Sequence, residues 1–198
     1  MKVSSKGKNR TIAVKGAYSG AGATHMCLCL ANYMASREKH KVIYIELGEN
    51  GTLTNMVGKE IVDLDGVLGY KYMDVIYVPA ATIETCQRLL QTRLEYIVVD
   101  VKNDIAESAS VLNLCCKVII LGSFKPWNEE RFGNFIQKNV INKLDRTKVL
   151  FFGIETTKNE KITFQRVFNT ELHTMPIILN PLCIKQKEFL FIKKIILE

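Results

Sequence analysis

Several things are missing from this chain, and each absence narrows what it can be. None of the six cysteines (Cys27, Cys29, Cys86, Cys115, Cys116, Cys183) forms a C-x-x-C pair, and most lie inside apolar runs. Zinc-site and disulfide-scaffold readings therefore give way to free thiols packed as small hydrophobes. The polar, basic start from Met1 to Arg10 is not followed by the apolar stretch of a signal peptide, and no later run is long enough to cross a bilayer. A cytoplasmic protein is expected. Repeats, low-complexity segments and obvious linkers are also lacking, so 198 residues with 47% apolar content read as a single domain over 1–198, with residues 1–10 as a flexible lead. No Ser, His, Asp arrangement presents itself for nucleophilic catalysis. The net charge of +7 is dispersed, apart from the first ten residues and Lys185, Lys187, Lys193 and Lys194. That distribution suits a solvated basic surface better than a nucleic-acid or membrane footprint.

What the chain does contain is a succession of apolar, β-branched runs alternating with helical patterns. That is the mark of an α/β fold with a doubly wound, mostly parallel sheet flanked by helices. Strands are expected at Thr11 to Lys15, Lys41 to Leu47, Val75 to Val78 (closed by Pro79), Tyr96 to Asp100, Lys117 to Leu121, Val149 to Gly153 and Met175 to Leu179. Helices are expected at Thr24 to Arg37, Ala80 to Leu94, Ala106 to Leu114, Trp127 to Leu144 and Lys185 to Leu197. Residues 52–72 leave the choice open, although Asp65-Gly66 is a turn signal able to join two short strands. The last helix carries Phe189, Leu190, Phe191, Ile192, Ile195, Ile196 and Leu197 on more than one face, which favours core packing over a lipid interface.

The stretch that organises the rest is Thr11-Ile-Ala-Val-Lys-Gly-Ala-Tyr-Ser-Gly-Ala-Gly-Ala-Thr-His25, a strand, a glycine turn and a buried helix. Glycines let successive backbone N–H groups converge at the positive end of a helix dipole, which suits a phosphate. The candidate cradle is Gly20, Ala21, Gly22, Ala23 and Thr24, followed by His25. A phosphate loop of the G-x-x-x-x-G-K-[ST] type has a lysine and a hydroxyl after its last glycine. Here those positions are Ala23 and Thr24. Another reading is the G-x-G-x-x-G fingerprint of a dinucleotide-binding enzyme, with Glu46 at a suitable separation to hold ribose hydroxyls. Its third glycine would be His25, which crowds helix against strand.

The G-x-G-x-T turn, the strand ending in Glu46 with Gly48-Glu-Asn-Gly51 behind it, and Tyr96-Ile-Val-Val-Asp100 together resemble the ParA/MinD branch of the P-loop ATPases over nearly the whole chain. The resemblance implies a three-layer P-loop fold that binds ATP or ADP with magnesium, with Thr24 and Asp100 as the residues around the metal. It also implies two lysines, and these are Ala23 and Tyr18 here. Where the family places two aspartates around one spacer, the second positioning the attacking water, this chain has Glu46, Leu47 and Gly48. The expectation is a degenerate site, more a pseudo-ATPase than an active ATPase, which keeps nucleotide and magnesium or has given both up. It would act through a protein partner as a positioning or assembly module, of the kind associated with bacterial pilus or secretion-system localisation. The alternative is a working ATP-dependent homodimer switch, with Lys15, Lys102, Lys125 or a partner chain supplying the missing charge.

Overall fold

The computed structural model describes residues 10–48, 53, 60–92, 96–102 and 105–197. Among them a nine-stranded sheet runs in the order β3-β4-β5-β2-β6-β1-β7-β8-β9. Its strands are β1 (Arg10–Gly16), β2 (Val42–Leu47), β3 (Glu60–Leu64), β4 (Val67–Tyr72), β5 (Val75–Ala81), β6 (Tyr96–Val101), β7 (Lys117–Gly122), β8 (Val149–Ile154) and β9 (Leu172–Met175). The helices are α1 (Ala23–Ser36), α2 (Ile83–Leu90), α3 (Ile105–Leu114), α4 (Glu129–Phe135), α5 (Lys158–Phe168) and α6 (Gln186–Leu197). From β5 to β9 every pairing is parallel, and β3 and β4 form an antiparallel hairpin added at the β5 edge.

Strand alternation sorts the core into two layers. Ile12 and Val14 of β1, Val42 and Tyr44 of β2, Tyr96 and Val98 of β6, and Ile119 and Leu121 of β7 face α1 and α6. Ala13, Ile43, Ile45, Ile97, Val99, Val118 and Ile120 face the opposite layer, which contains α2, α3, α4 and α5. Helix α1 is buried on every residue from Met26 to Ala35, because the sheet covers one side and α6 another. Phe189 of α6 packs on Tyr33 with ring centroids 5.5 Å apart, and the Arg37 guanidinium lies 4.4 Å over the Phe189 ring. Ile192, Ile195 and Ile196 complete that seam, so the last helix packs into the core as its apolar excess predicts. No helix among the described residues is long and apolar enough to cross a membrane.

Four element boundaries differ from expectation. Strand β5 continues through Pro79 to Ala81, because its register with β2 is irregular there and its pairing with β4 ends at Tyr77, so no ladder bond requires the missing N–H. Helix α2 starts at Ile83, capped by the Thr82 hydroxyl accepting from the Thr85 N–H, and ends at Leu90. The segment expected as one helix from Trp127 to Leu144 is α4 followed by a π turn at Ile136–Val140. The last strand is Leu172–Met175 rather than Met175 to Leu179, since Pro176 has no N–H with which to prolong the ladder. Helix α5, absent from the sequence reading, has a full capping box between Thr157 and Glu160. The Asp65-Gly66 turn does join two strands, β3 and β4.

Cys27, Cys29, Cys86 and Cys115 are buried, whereas Cys116 and Cys183 are exposed. Burial pushes the thiols of Cys29 and Cys86 up to about 12 and raises Cys27 and Cys115 as well. The thiolate is the reactive form. Alkylation of the folded protein at mildly alkaline pH is therefore expected to label Cys116 and Cys183, with the other four reacting only in denaturant, as read by intact mass and peptide mapping.

Candidate functional site

Strand β1 exits the sheet at Gly16, and the Ala17 N–H donates to the Leu121 carbonyl at 2.8 Å, tying the exit to β7. The chain then turns sharply, with the Ala21 N–H on the Tyr18 carbonyl at 3.2 Å. Gly20 (φ 85) and Gly22 (φ 87) adopt left-handed backbone, where a side chain costs about 1–2 kcal/mol. Gly22 caps α1 without a side-chain acceptor, the first turn holds no acid, and the first intrahelical bond runs from the Met26 N–H to the Gly22 carbonyl at 3.0 Å. The N–H groups of Ala23, Thr24 and His25 thus have no acceptor within the helix. They border an open cleft of about 450 Å³, lined by the turn from Tyr18 to His25 together with Lys15, Gly16, Asp100, Val101 and Lys102.

Beneath this cradle lies a compact polar cluster. Asp100 of β6 is opposite Glu46 of β2 in the parallel register, so two fully buried carboxylates stand side by side on the α1 face of the sheet. The Thr24 hydroxyl donates to Asp100 Oδ2 at 2.7 Å and the Tyr44 hydroxyl donates to the same oxygen at 2.9 Å. Asp100 Oδ1 is buried and has no hydrogen-bond partner among the described residues. Two residues beyond Asp100, and so on the same side of the chain, Lys102 turns its ammonium inward. Its Nζ lies 3.0 Å from Asp100 Oδ2 and 3.8 Å from Glu46 Oε1, and it donates a short hydrogen bond to Thr24 Oγ1. The Lys102 side chain keeps 30% of its surface exposed, where it borders the cleft. The Lys15 ammonium donates to the Lys102 carbonyl at 3.2 Å, and the Leu53 N–H donates to Glu46 Oε2 at 3.3 Å. Burial beside Cys27 and Asp100 raises the Tyr44 phenol well above its ordinary value, so it remains a donor.

The fold thus brings together Gly20, Ala21, Gly22, Ala23, Thr24, His25 and Asp100 around one cleft, while Glu46 lies below it and is not among the lining residues. Of the three lysines considered as replacement charge, Lys15 and Lys102 reach the cleft, whereas Lys125 pairs with Glu160 at 3.2 Å. The role of Tyr44 was not anticipated, although its period-two spacing from Glu46 in β2 places both on one face. Tyr18, at a position where the resemblance has lysine, carries the Arg131 guanidinium 4.7 Å over its ring.

The strand order decides between the two nucleotide folds. In the dinucleotide fold the second strand neighbours the first. Here β6 lies between β1 and β2, so Glu46 is separated from the glycine turn by a whole strand, and the dinucleotide reading is set aside. Solved structures agree. A ParA family ATPase from Chlorobium tepidum TLS superposes with a TM-score of 0.64 at 14% identity, over 88% of this chain and 86% of that one. The septum site-determining protein MinD from Pyrococcus horikoshii OT3, complexed with Mg-ADP, gives 0.58 at 14% identity over 85% and 82%. The chain has the ParA/MinD fold. A putative plasmid partition protein from Borrelia burgdorferi bound to AMPPNP shares this fold nearly end to end, with a TM-score of 0.65 at 17% identity over 96% of this chain and 98% of that one. No family model and no curated protein sequence matches the chain. The ParA/MinD fold therefore rests on shape, and the site on its own residues.

Proposed function

We propose that this chain is a ParA/MinD-like positioning or assembly module that binds nucleotide phosphates in the cradle from Gly20 to Thr24, hydrolyses them weakly or not at all, and acts through a protein partner. One observation carries this reading: the backbone cradle is complete while the cations of phosphoryl transfer are not in place. Backbone N–H groups at a helix N-terminus can hold a phosphate without side chains. Phosphoryl transfer additionally needs positive groups against the transferring oxygens, and each is worth orders of magnitude in rate. Ala23 has no charge to offer, Tyr18 is covered by Arg131, the Lys15 ammonium is directed to the Lys102 carbonyl, and Lys102 is held at the cleft wall by Asp100 and Glu46. Gly48 stands where the resemblance has the water-positioning aspartate. AMPPNP and Mg-ADP in the Borrelia and Pyrococcus structures support an adenine nucleotide as the ligand class.

The partner face we assign borders the cleft. Trp127 is 77% exposed and lies in the segment leading into α4, whose Arg131 stacks on Tyr18 at the cleft rim. A protein docking there, or a second copy of this chain, would sense whether the cradle is filled. Localisation of a pilus or secretion system is the specific role to examine.

Thermal melting with ADP or AMPPNP, in parallel with a phosphate-release assay on ATP, tests this reading. Binding is expected to add about 2.7 kcal/mol at a hundredfold excess over Kd, with phosphate released from ATP at the rate seen in buffer alone. Release orders of magnitude above that rate, abolished by Asp100→Asn, would restore the ATPase switch. Absence of any shift with nucleotide would remove the ligand from the proposal.

A further inference from the structure

The resemblance assigns Thr24 and Asp100 to the surroundings of a magnesium ion, and the geometry of those two groups disagrees with that assignment. Magnesium needs oxygen ligands at about 2.0–2.1 Å in an octahedral shell. Thr24 Oγ1 and Asp100 Oδ2 are 2.7 Å apart and hydrogen-bonded to each other, and both contact the Lys102 ammonium. Thr24 Oγ1 already donates to Asp100 Oδ2 and accepts from the Lys102 ammonium, so a metal brought to that oxygen would face a fixed cation of like charge. We propose that Lys102 is a built-in cation that replaces magnesium, so that this site holds nucleotide phosphates without a metal.

Three observations converge on this. Glu46 and Asp100 are both fully buried on adjacent strands, and two neighbouring buried carboxylates need a positive charge between them. Lys102 supplies it within ion-pair distance of both, 3.8 Å and 3.0 Å, from a position two residues past Asp100 on the same strand face. Its backbone is held on both sides: the Lys102 N–H donates to the Leu47 carbonyl at 2.9 Å, and the Lys15 ammonium donates to the Lys102 carbonyl at 3.2 Å. The ammonium is thus oriented from the sheet, and its partly exposed side borders the cleft beside the cradle. It carries one charge where magnesium carries two, which leaves a bound triphosphate less neutralised and disfavours transfer of its last phosphoryl group.

The inference concerns the same cleft as the proposed function, but its first test needs no nucleotide. Melting curves of the natural chain and of Lys102→Ala are compared in millimolar magnesium and in potassium chloride of equal ionic strength. The natural chain is expected to melt at the same temperature in both. Lys102→Ala, which removes the ammonium that bridges Asp100 and Glu46, is expected to melt lower in potassium and to recover at least half of the loss in magnesium. Lys102→Gln, which keeps hydrogen-bonding capacity but not charge, serves if the alanine variant does not fold, with the same magnesium response expected. A natural chain stabilised by magnesium, or variants indifferent to it, would overturn the inference.

The second test, which does rest on the nucleotide reading, measures ADP affinity with magnesium and with EDTA. The two values are expected to agree within about twofold for the natural chain and to differ by tenfold or more for Lys102→Ala. A tenfold loss for the natural chain in EDTA would overturn the inference while leaving the proposed function intact. Absence of ADP binding throughout would overturn the proposed function and the nucleotide part of the inference, with the magnesium melts still deciding whether Lys102 takes the place of the metal.

Discussion

Asp100→Ala is expected to lower the free energy of unfolding by about 3–5 kcal/mol, read as a fall in the urea midpoint. Asp100 is the acceptor on which three donors converge, the Thr24 hydroxyl at 2.7 Å, the Tyr44 hydroxyl at 2.9 Å and the Lys102 ammonium at 3.0 Å. Removing it leaves two hydroxyls and a cation facing a small cavity, with Glu46, at 3.8 Å, as the acidic partner that remains among the described residues. Unmade hydrogen bonds at buried groups are what make such truncations expensive. Asp100→Asn keeps the volume and one acceptor oxygen, so its loss is expected to be smaller, about 1.5–3 kcal/mol. The double variant Asp100→Ala with Lys102→Ala separates charge from shape. If the pair acts as a unit, the double variant is expected to lose clearly less than the sum of the two single losses, because each single change leaves the other charge stranded. Additive losses would show that the two side chains contribute independently.

Phe164→Ala is the second large loss, also about 3–5 kcal/mol, and for a different reason. Phe164 of α5 is fully buried, and its ring meets those of Phe124 at 5.3 Å, Phe132 at 5.9 Å, Phe151 at 5.5 Å and Phe168 at 4.7 Å. Truncation opens a cavity among aromatic neighbours that come from β8, the segment after β7, α4 and α5 and cannot all collapse inward. Tilted and edge-on pairs each add to the burial term. This cluster belongs to the layer opposite α1, so the cradle and Asp100 are on the other side of the sheet. Urea unfolding is expected to shift while ADP affinity, measured well below the transition, stays that of the natural chain. Loss of affinity in step with stability would mean that the two layers are coupled through the sheet.

The parallel strands were legible because strands buried on both faces must be apolar throughout: Tyr96-Ile-Val-Val-Asp100 and Lys117 to Leu121 admit few other readings. Helix α1 was legible for the related reason that a helix buried nearly all round loses its polar face. Boundaries were less so. The edge of β5 at Pro79 depends on which neighbour is still paired there, the break in α4 depends on packing beyond Phe135, and β9 is too short to produce a periodic signal. Helix α5 did have a local signature in Thr157 and Glu160, which weighs little until a strand on either side demands a crossover.

For the site the division is sharper. The sequence alone determined the glycine turn between strand and helix, because glycines at positions 20 and 22, a strand before them and an apolar helix after them are local features with a local physical consequence, and it also set Ala23 and Tyr18 where the resemblance has lysines. What only the tertiary structure decided is where the remaining charge lies. Lys102 is 78 residues from Thr24 and 56 from Glu46, and nothing in the chain distinguishes it from Lys15 or Lys125 as a source of positive charge. The register of β6 against β2 puts Asp100 beside Glu46, the exit of β1 puts Thr24 above them, and period-two alternation turns Lys102 to the same face. Buried charges find their counter-charge through contacts between distant strands, and those contacts exist only once the sheet has formed.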